Sequence, residues 1–377
     1  MNEPHYPAAR TFAARLETHF AEHAAAAHRG EAAGTPLPEA DAIEAMIDGA
    51  FWASLQREEG YAPEISLAFL PPGRAQRPLM LATPIPLGPR ALARLAPAVE
   101  RPGIHLGVWR ERGELVVWGT TRTIPSYCFV VEVLAPGLMV VKHRTREDSA
   151  KFQNVAVFQG ERVKILSPES VDVTEHPPVL KSLIAPEPAG SADDPVDVLL
   201  RLAVSMRAHK RGGTLLVVPS GTEAWRESIV RPIGYEVHPP FTELADFVRE
   251  AGEGGPPPKP GALGRAVDAV AGLTAVDGAT VITDRYELLA FGVKIGRPDG
   301  RLRVGRVLLA EPIEGGVPTV VAPVELGGTR HISAAQFAQD QQDAVALVAS
   351  QDGPFTVFAW SAPEAVLHAH RVETLLL

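Results

Sequence analysis

The sequence predicts an α/β protein in two parts, and three observations support this prediction. The chain has 377 residues, enough for two domains at the usual ~100–200 residues each. Up to about residue 166, a short stretch with helical spacing is followed by segments in which apolar residues alternate with period two. Beyond a segment rich in Pro and Ala, helical and strand patterns alternate along the chain.

The composition limits the class of partner. Hydrophobic residues make up 46% and charged residues 21% of the chain, as in ordinary soluble globular proteins. The formal net charge is −9, and there is no dense run of Lys or Arg. A protein that binds bulk nucleic acid normally carries a basic face. We therefore expect no bulk nucleic acid as partner, and any phosphate binding must be local.

The sequence also argues against membrane insertion and secretion. The longest apolar run, Tyr127 to Val141, is interrupted by Glu132, Pro136 and Gly137, so it does not predict a membrane span. The N-terminal residues MNEPHYPAAR lack the apolar core of a signal peptide. The lone Cys128 excludes an intramolecular disulfide and fits a reducing compartment. We expect a cytoplasmic protein without membrane contact.

Residues 1–182 are predicted to form an N-terminal α+β module rich in antiparallel strands. Two helices come first, since apolar side chains recur at helical spacing around Phe12–Phe20 and Ile43–Phe51. A short helix is expected near Arg90–Leu95. Two hairpins follow from strand patterns on either side of short turns. Their strands are residues 105–110 with 114–119, and 128–134 with 138–143.

Two side-chain groups in this module are interpreted as structural. Trp109, Trp118 and Tyr127 lie in short strands, where aromatic residues more often belong to a core than to a ligand pocket. The basic cluster at residues 142–146, which contains Lys142 and His143, is interpreted as a solvated strand end.

Residues 183–195, LIAPEPAGSADDP, have the composition of a linker, and residues 196–377 are predicted to form the second domain. Helical patterns are expected near residues 196–209, 242–249, 263–270 and 333–342. Strand patterns are expected at residues 214–218, 279–283, 287–291, 303–309, 319–323, 344–350 and 355–360. Residues 250–260 are expected to form a loop.

Three polar stretches of this domain lie at predicted strand or helix ends. Asp277-Gly278-Ala279 places a carboxylate beside a glycine, which suits a hard cation or a ribose hydroxyl. Gly327 to His331 offers glycines, the start of a helix, and polar or cationic side chains, which suit an anion. Ser350-Gln351-Asp352-Gly353 is a polar turn after a buried strand. Each stretch taken singly has a plain alternative, namely a turn or a capped helix start.

Taken in order, the three stretches resemble the motifs of the diadenylate cyclase (DisA-type) nucleotide-binding domain. That family has an Asp-Gly-Ala strand, then Gly-Thr-Arg-His-Arg, then a Ser-Glu-Glu turn. The resemblance covers about residues 195–361 and implies a central mixed sheet flanked by helices. The two-part layout is more similar to the divergent relatives called DACNV-type probable sensor domain proteins, which pair such a domain with an N-terminal extension. This resemblance implies a bacterial signalling protein.

The resemblance implies a role for each matching residue. Asp277 would hold Mg²⁺ or Mn²⁺, with Asp352 as a second metal ligand, and would be the catalytic residue if the domain is active. The nucleotide would be bound by Gly278, Ala279, Gly328, Thr329, Arg330, His331 and Ser350.

Two departures from the family pattern bear on catalysis. Ile332 stands where the family has its second arginine, which removes a fixed positive charge. Gln351 and Asp352 replace two glutamates. Phosphoryl transfer depends on positioning and on neutralising charge, so both departures weaken the predicted catalysis more than the predicted binding.

The sequence therefore predicts a sensor that binds a purine nucleotide such as ATP, or a derivative, in a signalling or conflict-response pathway, with weak or no cyclase activity. One alternative is an active diadenylate cyclase-like nucleotidyltransferase that makes a cyclic dinucleotide from ATP; such an enzyme would act as a homodimer. The other is an interaction scaffold with a dead site. The downstream signalling partner is not indicated.

Overall fold

The computed structural model describes residues 5–27, 35–57, 60–144, 152–167, 183, 198–253 and 261–377. The chain divides into two compact units, Met1–Leu166 and Ser167–Leu377. Of the expected linker at 183–195, only Leu183 is described, and it lies in the core of the C-terminal unit. The predicted boundary there stays a prediction. None of the described helices has the length and apolar character needed to cross a bilayer.

Both predicted N-terminal helices are present. Helix α1 spans Pro7–Ala27 and α2 spans Ala40–Ser54, and a short helix α3 covers Pro89–Leu95. The apolar stripes seen in the sequence are the buried faces, since Leu16, Phe20, Ile43 and Met46 lie in one core cluster with the sheet residues. Burial of such a face supplies most of the stability of a helix in a protein.

The N-terminal sheet has eight strands among the described residues. They are β1 (Ile65–Phe69), β2 (Leu79–Pro86), β3 (His105–Glu111), β4 (Glu114–Thr121), β5 (Phe129–Ala135), β6 (Leu138–Arg144), β7 (Phe152–Gln159) and β8 (Arg162–Ile165). Their order is β2-β4-β3-β1-β5-β6-β7-β8, and only β1 and β3 pair in parallel. Both predicted hairpins, β3–β4 and β5–β6, are confirmed, as is the mostly antiparallel character.

The prediction of a solvated basic strand end was wrong for Lys142 and His143. Both side chains are buried, because the His143 ring packs against Phe20 of α1 and Tyr127 and the Lys142 ammonium lies over the Phe152 ring. The Lys142 ammonium is neutralised by an ion pair with Glu132. Burial lowers the pKa of His143 to about 4. Burial, with Lys142 nearby, likewise lowers the pKa of His105 to about 4.

The aromatic residues have the structural roles that were expected. Trp118 is fully buried and donates a hydrogen bond from Nε1 to the Leu70 carbonyl at 2.7 Å. Trp109 packs on Phe69. Tyr127 stacks on the His143 ring. Through these contacts the three aromatic side chains pack within the N-terminal unit.

The C-terminal unit contains helices α4 (Val198–Ala208), α5 (Glu243–Gly252), α6 (Ala262–Leu273), α7 (Pro323–Leu326) and α8 (Thr329–Asp340). Its strands are β9 (Gly213–Val218), β10 (Tyr235–Phe241), β11 (Ala279–Thr283), β12 (Leu288–Val293), β13 (Val307–Ala310), β14 (Thr319–Val321), β15 (Val345–Ala349), β16 (Phe355–Ser361) and β17 (Val366–Arg371). The strand order is β10-β12-β11-β9-β15-β16-β17-β13-β14.

This sheet is mixed and central, as predicted. Strands β9 and β11 pair in parallel, while β9 pairs with β15 in antiparallel register. The central strands β9, β11 and β15 are buried along their whole length, which explains their unbroken apolar sequences. One core cluster includes residues of α4 and α6, and a second includes residues of α8. Helices therefore flank the sheet.

Two features of this unit differ from the expectation. Helix α8 begins at Thr329, four residues before the predicted start, so the Thr-Arg-His motif forms its first turn rather than a preceding loop. Strands β10 and β17 were not predicted. Pro239 and Pro240 lie inside β10, where proline is compatible only with an edge strand, and β10 is indeed at the edge of the sheet.

Candidate functional site

The three polar stretches meet at one end of the C-terminal sheet. Pairing places Ala279 opposite Thr214 and Ala349 opposite Gly213, so the amino ends of β9 and β11 adjoin the carboxyl end of β15. A cavity of about 530 Å³ opens there. Its lining comprises Thr214, Asp277, Gly278, Ala279, Val293, Lys294, Ile295, Gly328, Thr329, Arg330, His331, Ser333, Val348, Ala349 and Ser350.

Asp277 enters the cavity from the turn before β11. Its side chain is 89% exposed, so it is free to meet a ligand or a cation. The Lys294 ammonium lies 4.0 Å from its Oδ2 atom. Gly278 adopts a φ of 112°, and a Cβ there would lie 2.5 Å from the Gly292 carbonyl carbon. Position 278 therefore requires a glycine, because the backbone of the neighbouring strand β12 lies too close for a Cβ atom.

The first turn of α8 forms the opposite wall. Gly328 is the N-cap residue, and a Cβ placed on it would meet nothing within 4 Å. Thr329 is exposed and Arg330 is partly exposed in the first turn. The unpaired N–H groups and the positive dipole end of a helix favour an anion at this place. A 12-residue helix thus presents its positive end to the cavity.

Arg330 is held against the loop before β9. A Cβ placed on Gly212 would lie 2.8 Å from Arg330 Nη1 and 3.2 Å from the Ala349 carbonyl oxygen. Gly212 itself has a φ of 68°, a conformation that favours glycine. The glycine therefore provides the space in which the guanidinium lies. Gln351 lies beside it and donates a hydrogen bond from Nε2 to the Arg211 carbonyl at 3.0 Å.

His331 is the buried member of the motif. It is 3% exposed, and its ring lies edge-on to Phe358 at a centroid distance of 6.3 Å. A Cβ placed on Gly327 would lie only 2.3 Å from Nδ1, so Gly327 makes room for the ring. The Nε2 atom is buried without a hydrogen-bond partner among the described residues. A buried polar atom without a partner costs folding free energy, and the His331 ring carries this cost in the structure.

The sequence allowed His331 to be a cationic donor, but the structure indicates a neutral ring. Burial lowers the pKa of the His331 imidazole below its usual range, and the nearby Arg371 lowers it further. The ring is therefore neutral near pH 7 and acts as a hydrogen-bonding group. Arg330 and Lys294 supply the positive charge of the cavity, against the single carboxylate of Asp277.

The third stretch contributes one residue. Ser350 lines the cavity, and its backbone N–H donates to the Pro354 carbonyl at 2.9 Å. Asp352 is exposed in the following turn and does not line the cavity. No group of three or more His, Cys, Asp or Glu side chains suited to a metal occurs within the described ranges.

Asp277 is the carboxylate in the cavity lining, and it could hold a hard cation only if the ligand supplies further oxygen atoms. Mg²⁺ is commonly held by one or two carboxylates plus substrate phosphates and water. The donor set of the cavity therefore fits a cation that arrives with a phosphate ligand. The structure does not bring Asp352 to the same place.

Of the residues predicted to bind the nucleotide and metal, all except Asp352 line this cavity. The prediction missed Thr214, Lys294 and Ser333. Lys294 lies beside Gly278 because Ala279 pairs with Val293, and two register shifts between β11 and β12 produce this pairing, so the hairpin pattern alone does not indicate Lys294. Ser333 follows from the earlier helix start, one turn after Thr329.

Comparison with known families gives one match. The family model "Probable sensor domain DACNV" matches residues 32–122. This range lies in the N-terminal unit and contains α2 to β4, whereas the three motifs of the cavity lie outside it. No curated protein matches the chain. The comparison thus supports a DACNV-type probable sensor domain in this chain, over the residues that it matches.

Proposed function

We propose that the C-terminal unit binds a purine nucleotide, or a derivative of one, in the cavity between β11, β15 and α8, and that the protein is a nucleotide sensor. The observation that supports this most is the convergence of three distant polar stretches on one cavity at a helix N-terminus. The match of residues 32–122 to a probable sensor domain supports the sensor role.

The phosphates would lie at the first turn of α8. Backbone N–H groups of this turn, the Arg330 guanidinium and the Lys294 ammonium would contact the phosphate oxygens. Neutral His331 would form part of the cavity wall behind the ligand. Asp277 lies across the cavity, where it would accept from a ribose hydroxyl or hold a Mg²⁺ or Mn²⁺ ion that arrives with the phosphates.

Binding is favoured over catalysis because the charges available for the reaction are few. Ile332 supplies no cation, and the Gln351 amide is engaged with the Arg211 carbonyl. Transition-state stabilisation of phosphoryl transfer needs charge neutralisation at the reacting groups, and each 1.36 kcal/mol of lost stabilisation is a factor of about ten in rate. We infer weak or no cyclase activity.

Calorimetric titration of ATP with Mg²⁺ into the full chain tests the proposal. The parent is compared with Arg330→Ala and with the control Arg285→Ala, whose exposed side chain lies outside the cavity lining. We expect Arg330→Ala to lose about 1.5–3 kcal/mol of binding free energy, the range for a hydrogen bond to a charged group. The control should bind as the parent does.

Two outcomes would contradict the proposal. Equal affinity of Arg330→Ala and the parent would place the nucleotide elsewhere. Failure of the parent to bind ATP, GTP, their monophosphates or a cyclic dinucleotide would favour the scaffold alternative. Robust production of a cyclic dinucleotide from ATP by the parent would instead establish the enzyme alternative.

A further inference from the structure

The N-terminal unit contains a second cavity, of about 850 Å³. Its lining comes from the sheet and from the segment around α3, and combines aliphatic side chains with three threonines, a glutamine and two arginines. The aliphatic side chains with accessible surface include Leu79 and Leu81 of β2, Leu95 of α3, and Ile104. The size lies within the range of ~300–1,000 Å³ that is usual for small-molecule sites. These aliphatic side chains offer a surface for the apolar part of a ligand.

An irregularity of the sheet accounts for the cavity. Strand β2 pairs with β4 at Leu79 and Met80 and again at Ile85 and Pro86, and the register shifts between these two places. Gly119 permits the first contact, because a Cβ there would lie 1.9 Å from the Leu79 carbonyl oxygen. Residues 81–84 therefore have no register partners in β4, and Leu81 lines the cavity.

The rim of the cavity is cationic. Arg77 and Arg122 line it and are both exposed, and neither side chain has an ion pair or hydrogen bond with the described residues. No Asp or Glu belongs to the described lining. Arg77 also has a φ of 50°, which is uncommon for a residue other than glycine. Two uncompensated guanidinium groups beside an aliphatic wall would attract an anion that has an apolar part.

We propose that this cavity binds a small amphipathic organic anion, an aliphatic or aromatic carboxylate. Its apolar part would lie against Leu79, Leu81, Leu95 and Ile104, and its carboxylate would pair with the two guanidinium groups, as arginine does with carboxylates elsewhere. The lining residues run from Gln76 to Thr123, almost entirely within the segment that matches a probable sensor domain. The carboxylate is thus a signal for the N-terminal unit, separate from the nucleotide.

The test uses the full chain and octanoate as an aliphatic probe, with 4-phenylbutyrate as an aromatic one. Binding is measured by calorimetry, and octyltrimethylammonium serves as a probe of similar chain and opposite charge. The charge variant is Arg77→Asn with Arg122→Ala, because asparagine tolerates the left-handed backbone at position 77. The control is Arg101→Ala, whose exposed side chain lies outside the cavity lining.

A third variant, Ala98→Trp, fills the cavity from an exposed lining position and so leaves the core in place. We expect saturable binding of at least one carboxylate, no binding of the cation, and at least tenfold weaker binding in both the charge variant and Ala98→Trp. The Arg101→Ala variant should match the parent. Absence of binding by both carboxylates would overturn the proposal, and so would equal affinity of the parent and the charge variant.

Discussion

Substitution of Gly327 by serine tests whether the His331 ring is held as the structure has it. The serine Cβ would lie 2.3 Å from Nδ1, far inside contact distance, and the ring is 3% exposed and flanked by Phe358. Gly327 has a φ of 161°, an extended conformation that any residue adopts, so the cost is steric alone. Overpacking of a core costs about 1–3 kcal/mol.

The neighbouring glycine provides the matched control. A Cβ on Gly328 would meet nothing within 4 Å, and serine is among the preferred N-cap residues, so Gly328→Ser should be neutral or slightly stabilising. For a unit of this size, each kcal/mol shifts Tm by roughly 2–4 °C, which gives a loss of about 2–12 °C for Gly327→Ser. Calorimetry of the full chain measures both. Equal Tm values for the two variants would refute the placement of the ring.

Three other predictions follow from the same contacts. Gly212→Ala should weaken ATP binding several-fold in a calorimetric titration, because its Cβ would lie 2.8 Å from the guanidinium in the cavity; unchanged affinity would show that this contact does not matter. Acid should destabilise the N-terminal unit, since burial lowers the pKa of both His105 and His143 from 6.5 to about 4. Below pH 6.5 the unfolded chain binds more protons than the folded one, so the free energy of unfolding falls by about 3 kcal/mol per imidazole between pH 6.5 and pH 4. Urea unfolding at pH 7 and pH 4 measures this loss, and equal free energies of unfolding would contradict the burial of the two rings. The parent should give no cyclic dinucleotide from ATP by mass spectrometry, whereas Ile332→Arg with Gln351→Glu should give at most a trace; rapid turnover by the parent would contradict the sensor assignment.

The sequence predicted those parts of the fold that depend on local pattern. The helical stripes of α1 and α2, the hairpins β3–β4 and β5–β6, and the alternation of helices and strands after residue 198 were all readable from apolar spacing. The interpretation of Lys142 and His143 as a solvated strand end was wrong, because their burial depends on packing against residues outside β6, such as Phe20 and Phe152. Single-strand periodicity carries no information on a neighbour far away in sequence.

The site was predicted in its residues but not in its geometry. Each motif marks a strand or helix end, and the convergence of these ends depends on the order β11-β9-β15, which no local pattern specifies. The positive charge of Arg330 could be predicted from its residue type. The neutral, buried state of His331 could not, because it follows from packing against Phe358 and Gly327.

Hydrogen exchange of the full chain, with and without saturating ATP and Mg²⁺, tests the central claim most directly. Slower amide exchange is expected at residues 328–331, 333, 277–279 and 348–350, which line the cavity at the amino end of α8. Exchange at α5, which contributes nothing to this lining, should stay unchanged and serve as the internal control. Protection confined to other segments, or no protection at a concentration of ATP that saturates binding, would contradict the account.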